Sequence, residues 1–245
     1  MSFALEFYSL SWDALKSALT QRKPELIAAV QAQQWDRLVN DTDLVHNDSD
    51  AAGANADGDV TQSEDVVFAD GFDEIAEAMA AKVAPGRDPM DVGDNAALVV
   101  AAMIRHLGKP VGTIQHAASV IHDNDGEVAM NFYAMFLDGV AGSAFNDHEL
   151  GDKLMARPLF GLLHFDFLSW GGLTQAEIAA LMPKYALTPA EKQDEEWQAI
   201  ADHAQGWLDT LVAALGAAAA AKTDLVTLYL TSEGSGDTFL DELRA

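Results

Sequence analysis

Met1-Ser-Phe-Ala-Leu-Glu-Phe-Tyr-Ser-Leu10 opens the chain. Phe3, Leu5 and Phe7 alternate with a second set of side chains, which is the period-two pattern of a β-strand with at least one apolar face. The stretch Asp224-Leu-Val-Thr-Leu-Tyr-Leu-Thr231 is also rich in residues that favour strands, and we expect it to lie beside the first. Together they predict a small sheet that includes the N- and C-terminal strands.

Amphipathic segments between these strands predict helices that cover the sheet. Ser11 is placed to cap a helix over Trp12–Leu19, and Pro24 suits the first turn of a second helix that runs through Leu38. The resulting fold class is α+β, a small sheet packed with several amphipathic helices. Apolar periodicity predicts two further helices, over residues 72–83 and 95–107.

The C-terminal third contains two capping boxes. In Thr174-Gln-Ala-Glu177 the threonine caps an amide and the glutamate reaches back to the cap, which predicts a helix that runs to about Met182. Thr188-Pro-Ala-Glu191 has the same spacing and opens a long helix with Trp197 and Trp207 on its apolar stripe.

The middle of the chain fits either kind of secondary structure. Residues 111–121 and 128–137 are apolar, aromatic or β-branched in places, and we expect helices in both. Asp123-Asn-Asp-Gly126 between them predicts a turn.

Length and composition fit one domain with a real core, since the 245 residues are 49% hydrophobic. We predict a single α+β domain over residues 1–232, with an acidic loop near residues 40–60 where apolar periodicity disappears. Residues 233–245 are expected to form a polar tail.

The net charge of −25 limits the classes of partner. A strongly negative field repels nucleic acid and anionic membrane surfaces, so we expect neither as a partner. Three explanations of the acidity remain open: solubility in a salty cytoplasm, cation binding, and recognition of a basic protein.

Several chemistries and locations are excluded or disfavoured. The chain has no cysteine, so disulfides, zinc-thiolate sites and thiol catalysis are excluded. The N-terminus lacks the features of an export signal, and the longest apolar run, Leu211–Ala221, is too short to span a bilayer. We therefore expect a cytoplasmic protein, and the sequence leaves its oligomeric state open.

Gly53-Ala-Asn-Ala-Asp-Gly-Asp-Val-Thr-Gln-Ser-Glu64 resembles a calcium loop. Placing Gly58 at loop position six makes Glu64 the twelfth-position ligand, but position one is Gly53, which has no side-chain oxygen. The alternative is a solvated loop followed by a capping box, Thr61-Gln-Ser-Glu64. If calcium binds, the candidate metal residues are Asn55, Asp57, Asp59 and Glu64.

Other candidate residues give weaker signals. His148 has carboxylates on both sides and His164 lies near Asp166, but neither has the His-Glu-x-x-His spacing of a zinc helix. Surface or core histidines are the alternative explanation. Ser169-Trp170-Gly171-Gly172 lacks the glycine pattern of a hydrolase nucleophile elbow. We expect Arg157 to pair with a carboxylate inside the fold, and the tryptophans to anchor the core.

Three segments carry a resemblance to a known family: the opening ten residues, Gly171-Gly-Leu-Thr-Gln-Ala-Glu-Ile178, and the tryptophan-bearing helix that leads to Leu225-Val-Thr-Leu-Tyr-Leu230. In these the chain resembles a family of uncharacterised bacterial proteins related to the YfbM-like group. The likeness is best at the two ends of the chain. It implies an α+β fold and brings no established activity with it.

The charge and the lack of a catalytic motif lead to one functional hypothesis and one alternative. We expect a non-enzymatic cytoplasmic protein whose acidic surface binds a basic protein partner, for example a toxin that it neutralises. The alternative is a calcium- or cation-binding protein, or a metal-dependent enzyme that uses the acidic loop or the His-carboxylate groups. Convergence of His148 or His164 with distant carboxylates would favour this alternative. No catalytic residue is assigned.

Overall fold

A computed structural model describes residues 2–42, 64–80, 90–115, 118–123, 126–131, 148–164, 168–185 and 195–232. The helices are α1 (Trp12–Gln21), α2 (Pro24–Thr42), α3 (Glu64–Ala80), α4 (Asp94–Leu107), α5 (His148–Ala156), α6 (Gln175–Tyr185) and α7 (Glu195–Ala221). The strands are β1 (Ser2–Leu10), β2 (Met90–Asp91), β3 (Lys109–Gln115), β4 (Ala118–Asp123), β5 (Gly126–Asn131), β6 (Leu162–Leu163), β7 (Leu168–Leu173) and β8 (Asp224–Ser232).

Four strands form the central sheet in the order β3-β1-β8-β7, and every neighbouring pair is antiparallel. β1 and β8 pair without a register shift from Ser2 with Ser232 to Leu10 with Asp224. This confirms the predicted pairing of the two strands and the α+β class. β2 pairs with β6 in a short parallel ladder, and β4 pairs with β5.

Helices cover both faces of this sheet. On one face, Tyr8 and Leu10 of β1 belong to a core built with α1, α2, α3 and α4. On the other face, Leu5 and Phe7 of the same strand pack with α5, α6 and α7. Because both faces are covered, successive positions of a strand are buried, and β7 is buried along its whole length.

The most deeply buried helix is α4, in which every residue from Ala96 to Arg105 is buried. A helix that is apolar on all sides belongs to the interior of a domain. Its N-cap residue, Gly93, has no side chain to cap the helix. Glu74 of α3 bonds to this end of the helix, because its carboxylate Oε1 accepts the N–H of Gly93 itself.

The prediction of a helix start at Phe72 is wrong, because α3 already begins at Glu64. Gly71 lowers the helix propensity of this region. The glycine is needed where α3 crosses α4, since a Cβ on Gly71 would collide with the Asn95 backbone and the Val99 side chain. Ala76, an apolar residue of the helix expected over residues 72–83, is exposed.

The expected helices over residues 111–121 and 128–137 are wrong wherever the structure describes these ranges. β3 hydrogen-bonds along the edge of β1, and β4 pairs with β5 from Ala118 with Asn131 to Asp123 with Gly126. Asp123 and Gly126, the two ends of the predicted turn, pair with each other, and residues 124–125 between them lie outside the described ranges. The apolar pattern alone fits either structure; β3 is a strand because it pairs with the distant β1, and β4 and β5 are strands because they pair with each other.

Some predictions concern residues outside the described ranges. These are most of the acidic loop near residues 40–60, the second capping box at Thr188–Glu191, and the polar tail 233–245. The first residues of the expected loop, up to Thr42, belong to α2 instead. Within the described ranges, none of the helices combines the length and the apolar character that crossing a bilayer requires.

Candidate functional site

A buried ion pair joins β1 to α4. Arg105 donates from Nε to Oε2 of Glu6 and from Nη2 to Oε1, each at 2.9 Å. The Tyr8 hydroxyl donates to Oε2 of the same carboxylate at 2.6 Å. The Arg105 side chain is 1% exposed and that of Glu6 is 10% exposed, so the fork lies in the core. Burying two charges carries a large desolvation cost, which only such a well-bonded geometry offsets.

The position of this network indicates a structural role. Glu6 is in the middle of β1 and Arg105 is in the last turn of α4, so the bidentate contact fixes the helix at one register against the sheet. No local sequence pattern predicts the pair, because the residues are far apart in the chain. The signal that was present is Glu6 itself, a charged residue within an apolar strand pattern.

A second polar cluster lies where β8 begins. The Asp224 carboxylate accepts the backbone N–H of Trp12 at 2.9 Å on Oδ2 and that of Gln175 at 3.0 Å on Oδ1. Trp12 and Gln175 are the first residues of α1 and α6. One carboxylate therefore caps two helices that cover opposite faces of the sheet, and its charge suits both N-termini.

Glu177 is the centre of the adjoining cluster, and the predicted Thr174–Glu177 capping box is confirmed. Its Oε2 accepts the Thr174 N–H at 2.8 Å, and its own N–H donates to the Thr174 hydroxyl at 3.3 Å. Arg157 Nη1 lies 2.6 Å from Oε2 and Lys153 Nζ lies 3.2 Å from Oε1. Burial raises the pKa of Glu177, but the hydrogen bonds from Thr174, Arg157 and Lys153 outweigh it and lower the pKa to about 2.

Arg157 behaves as we expected. It pairs with Glu177, donates to the Gly172 carbonyl at 3.2 Å, and stacks on the Trp12 ring with its guanidinium carbon 5.3 Å from the ring centroid. These contacts join the end of α5 to the starts of α6 and α1. The arginine therefore belongs to the packing of the fold.

Ser169-Trp170-Gly171-Gly172 forms most of β7 and is no nucleophile turn. The Ser169 hydroxyl donates to the Met155 carbonyl at 2.9 Å, which satisfies an acceptor at the end of α5. Trp170 is almost fully buried and donates from Nε1 to the Leu162 carbonyl. A Cβ on Gly171 would collide with the backbone of α5, so this glycine allows the helix to approach the sheet.

His164 converges with a distant carboxylate at the start of α4. The imidazole follows β6 and is 5% exposed. Its Nδ1 lies 2.8 Å from the Val92 carbonyl, and its Nε2 lies 3.8 Å from Oδ1 of Asp94. The sequence pattern placed His164 near Asp166, which is outside the described residues, and did not point to Asp94. The parallel pairing of β2 with β6 brings the two together, and no local pattern signals it.

The outer face of α3 is acidic. Asp70, Asp73 and Glu77 are exposed and recur at helical spacing, so they lie along one side of the helix. Arg22 contacts this face, with Nη1 2.7 Å from Oδ1 of Asp73 and its guanidinium over the Phe72 ring. The face is a cation-attracting surface whose chemistry agrees with the charge of the whole chain.

The candidate calcium residues are mostly outside the structure's described part. Asn55, Asp57 and Asp59 lie there, and Glu64 is the first residue of α3. His148 is the first residue of α5. Among the residues that the structure describes, no group of three or more His, Asp and Glu side chains is arranged to hold a metal ion.

Comparison of the chain with family models, with curated proteins and with solved structures finds no match.

Proposed function

We propose that this protein binds a basic protein partner through its acidic surface, with the outer face of α3 as part of the contact. The observation that supports this is the row of exposed carboxylates at Asp70, Asp73 and Glu77. Like charges at this spacing repel one another and weaken a helix slightly. For solubility alone, cations interspersed among the acidic residues would serve better than a row of carboxylates.

The chemistry of the face defines the class of partner. Asp70 and Glu77, on either side of the Arg22–Asp73 pair, match lysines or arginines on a partner surface. The whole-chain charge of −25 would attract such a partner from a distance and speed the encounter at low salt. A basic toxin that is held inactive in the complex is one partner of this kind, and binding of that sort requires no catalytic residue.

The test compares two variants that remove equal charge. Asp70→Asn with Glu77→Gln neutralises the α3 face and spares Asp73, which is bonded to Arg22. Asp13→Asn with Glu25→Gln removes two carboxylates from the first turns of α1 and α2. Each immobilised protein is incubated with lysate at low salt and eluted with salt. We expect a basic protein that elutes with salt from the wild type and the control pair and is depleted on the α3 variant. Equal recovery on all three would refute the role of α3.

A second candidate is the calcium loop, and the start of α3 favours it. Glu64 would supply the twelfth-position ligand, and in a calcium-binding helix-loop-helix this ligand lies where the second helix begins. We propose a weak calcium site formed by Asn55, Asp57, Asp59 and Glu64. Calorimetry and thermal melting of the wild type against Asp57→Asn, Glu64→Gln test it. A saturable site lost in the variant supports the proposal, and identical titrations would exclude it.

A further inference from the structure

The His164 imidazole is oriented by the backbone of a neighbouring segment. A carbonyl oxygen only accepts hydrogen bonds, so the 2.8 Å contact with the Val92 carbonyl places a proton on Nδ1. In the neutral ring the lone pair is then on Nε2. Histidines that bind metals are commonly held in this way, because a carbonyl that accepts the proton of one ring nitrogen fixes the tautomer and aims the other nitrogen.

The distance between Nε2 and the facing carboxylate suits a shared cation better than a direct contact. At 3.8 Å, Oδ1 of Asp94 is too far for a hydrogen bond from the ring. Zinc lies about 2.0–2.2 Å from nitrogen and oxygen ligands, so tetrahedral ligands are about 3.4 Å apart. A side-chain adjustment of about 0.4 Å at Asp94 would place both groups around one ion.

The two ligands differ in exposure. His164 is buried and hydrogen-bonded, whereas the Asp94 side chain is 61% exposed. An ion from water would therefore meet the Asp94 carboxylate first, whereas the Nε2 atom of His164 is buried. The Glu74 carboxylate, which accepts the Gly93 N–H, adds negative charge one residue from Asp94.

From this geometry we propose that His164 and Asp94 bind a divalent transition-metal ion of the zinc type. Imidazole nitrogen selects zinc, nickel and copper over calcium and magnesium, which prefer sites made of oxygen ligands alone. The site is therefore distinct from the calcium loop and from the acidic face of α3. With two protein ligands, fewer than the three of catalytic zinc sites, the ion retains water. Its effect would be to link the start of α4 to the end of β6.

The test uses the full chain, freed of metal by chelation and dialysis. Zinc is titrated by calorimetry in the presence of excess magnesium, which occupies the diffuse negative surface. The histidine side-chain resonances are followed by NMR. Three variants are compared: Asp94→Asn at an exposed position, His164→Gln, and His106→Gln as the control. His106 also has Nδ1 in a hydrogen bond, 3.0 Å from Oε1 of Gln33, in the same helix as Asp94.

We expect the wild type and His106→Gln to bind one zinc ion with the same affinity, and zinc to shift the His164 resonances. Asp94→Asn should weaken binding by about tenfold or more, and His164→Gln should abolish it. Circular dichroism verifies that each variant is folded, and Asp94→Asn decides the question if His164→Gln does not fold. Absence of a saturable zinc site in the wild type, or equal affinity in Asp94→Asn, would overturn the proposal.

Discussion

The guanidinium of Arg105 donates two parallel hydrogen bonds to the carboxylate of Glu6 inside the core, and this contact joins α4 to the central strand β1. We expect Glu6→Gln or Arg105→Met to lower the free energy of unfolding by about 3–5 kcal/mol, because each leaves a buried charge without its counter-ion. The measurement is urea denaturation at neutral pH.

The matched control for this pair is exposed. Asp73, whose side chain is 73% exposed, is paired with Arg22, and Asp73→Ala should cost less than about 1 kcal/mol. The double variant Glu6→Gln, Arg105→Met removes both charges, and it should be more stable than either single variant. Additive losses in the double variant would show that the two side chains act independently.

Removal of the Asp224 carboxylate should loosen two helices at once. Asp224→Ala leaves the first N–H of α1 and of α6 without its acceptor, and loss of one cap costs about 1 kcal/mol, so we expect about 2 kcal/mol in total. Asp224→Asn keeps one oxygen and should lose about half of that. Ser11→Ala, which removes only the 3.4 Å cap of α1, serves as comparison. Equal losses in Ser11→Ala and Asp224→Ala would contradict the double cap.

Two glycines should respond oppositely to alanine. Gly172 has a φ of +144°, and a Cβ there would collide with the Leu225 carbonyl and the Trp12 ring. Gly172→Ala should therefore cost more than about 4 kcal/mol or prevent folding. Gly216 lies in α7 with open space around it, and Gly216→Ala should stabilise the protein by about 0.5–1 kcal/mol. Thermal melting distinguishes the two, and a stable Gly172→Ala would show that the sheet is not packed as described.

Glu177 should make stability depend on pH in the acidic range. Its pKa falls from the ordinary 4.5 to about 2 on folding, so the ionised form stabilises the native state above pH 4.5. That contribution is lost as the pH decreases from 4.5 towards 2. We expect the wild type to exceed Glu177→Gln in denaturation midpoint at pH 7, with a difference that shrinks as the pH falls through this window. A difference independent of pH would mean that the charge of Glu177 is not what stabilises the cluster.

Local patterns predicted those elements whose signals are contained in their own residues. β1, β8, α1, α4 and α6 have a clear period or a capping box, and the structure places all of them close to the predicted bounds. β7 was not predicted, because Gly171 and Gly172 reduce strand propensity. Gly171 is needed because α5 approaches it closely, and Gly172 is needed because β8 passes close to it. Neither contact is apparent from a single segment of sequence.

The candidate sites were harder to predict, for a related reason. Glu6 finds Arg105 and His164 finds Asp94 only through strand pairing and helix packing. From the sequence, His164 was grouped with its chain neighbour Asp166. The pairing of Arg157 with a carboxylate was predicted correctly, because acidic residues far outnumber basic ones in this chain.

The pairing of β1 with β8 also determines when this protein can fold during synthesis. β1 is synthesised long before β8, the strand that completes its hydrogen bonds over residues 2–10 and is made only after α7. Until β8 is made, the apolar residues of β1 lack the neighbouring strand at the centre of the sheet and the complete cover of helices on its two faces. Such contacts between distant parts of a chain form slowly. A nascent chain that stops before Asp224 would expose both cores and become a target for chaperones and proteases.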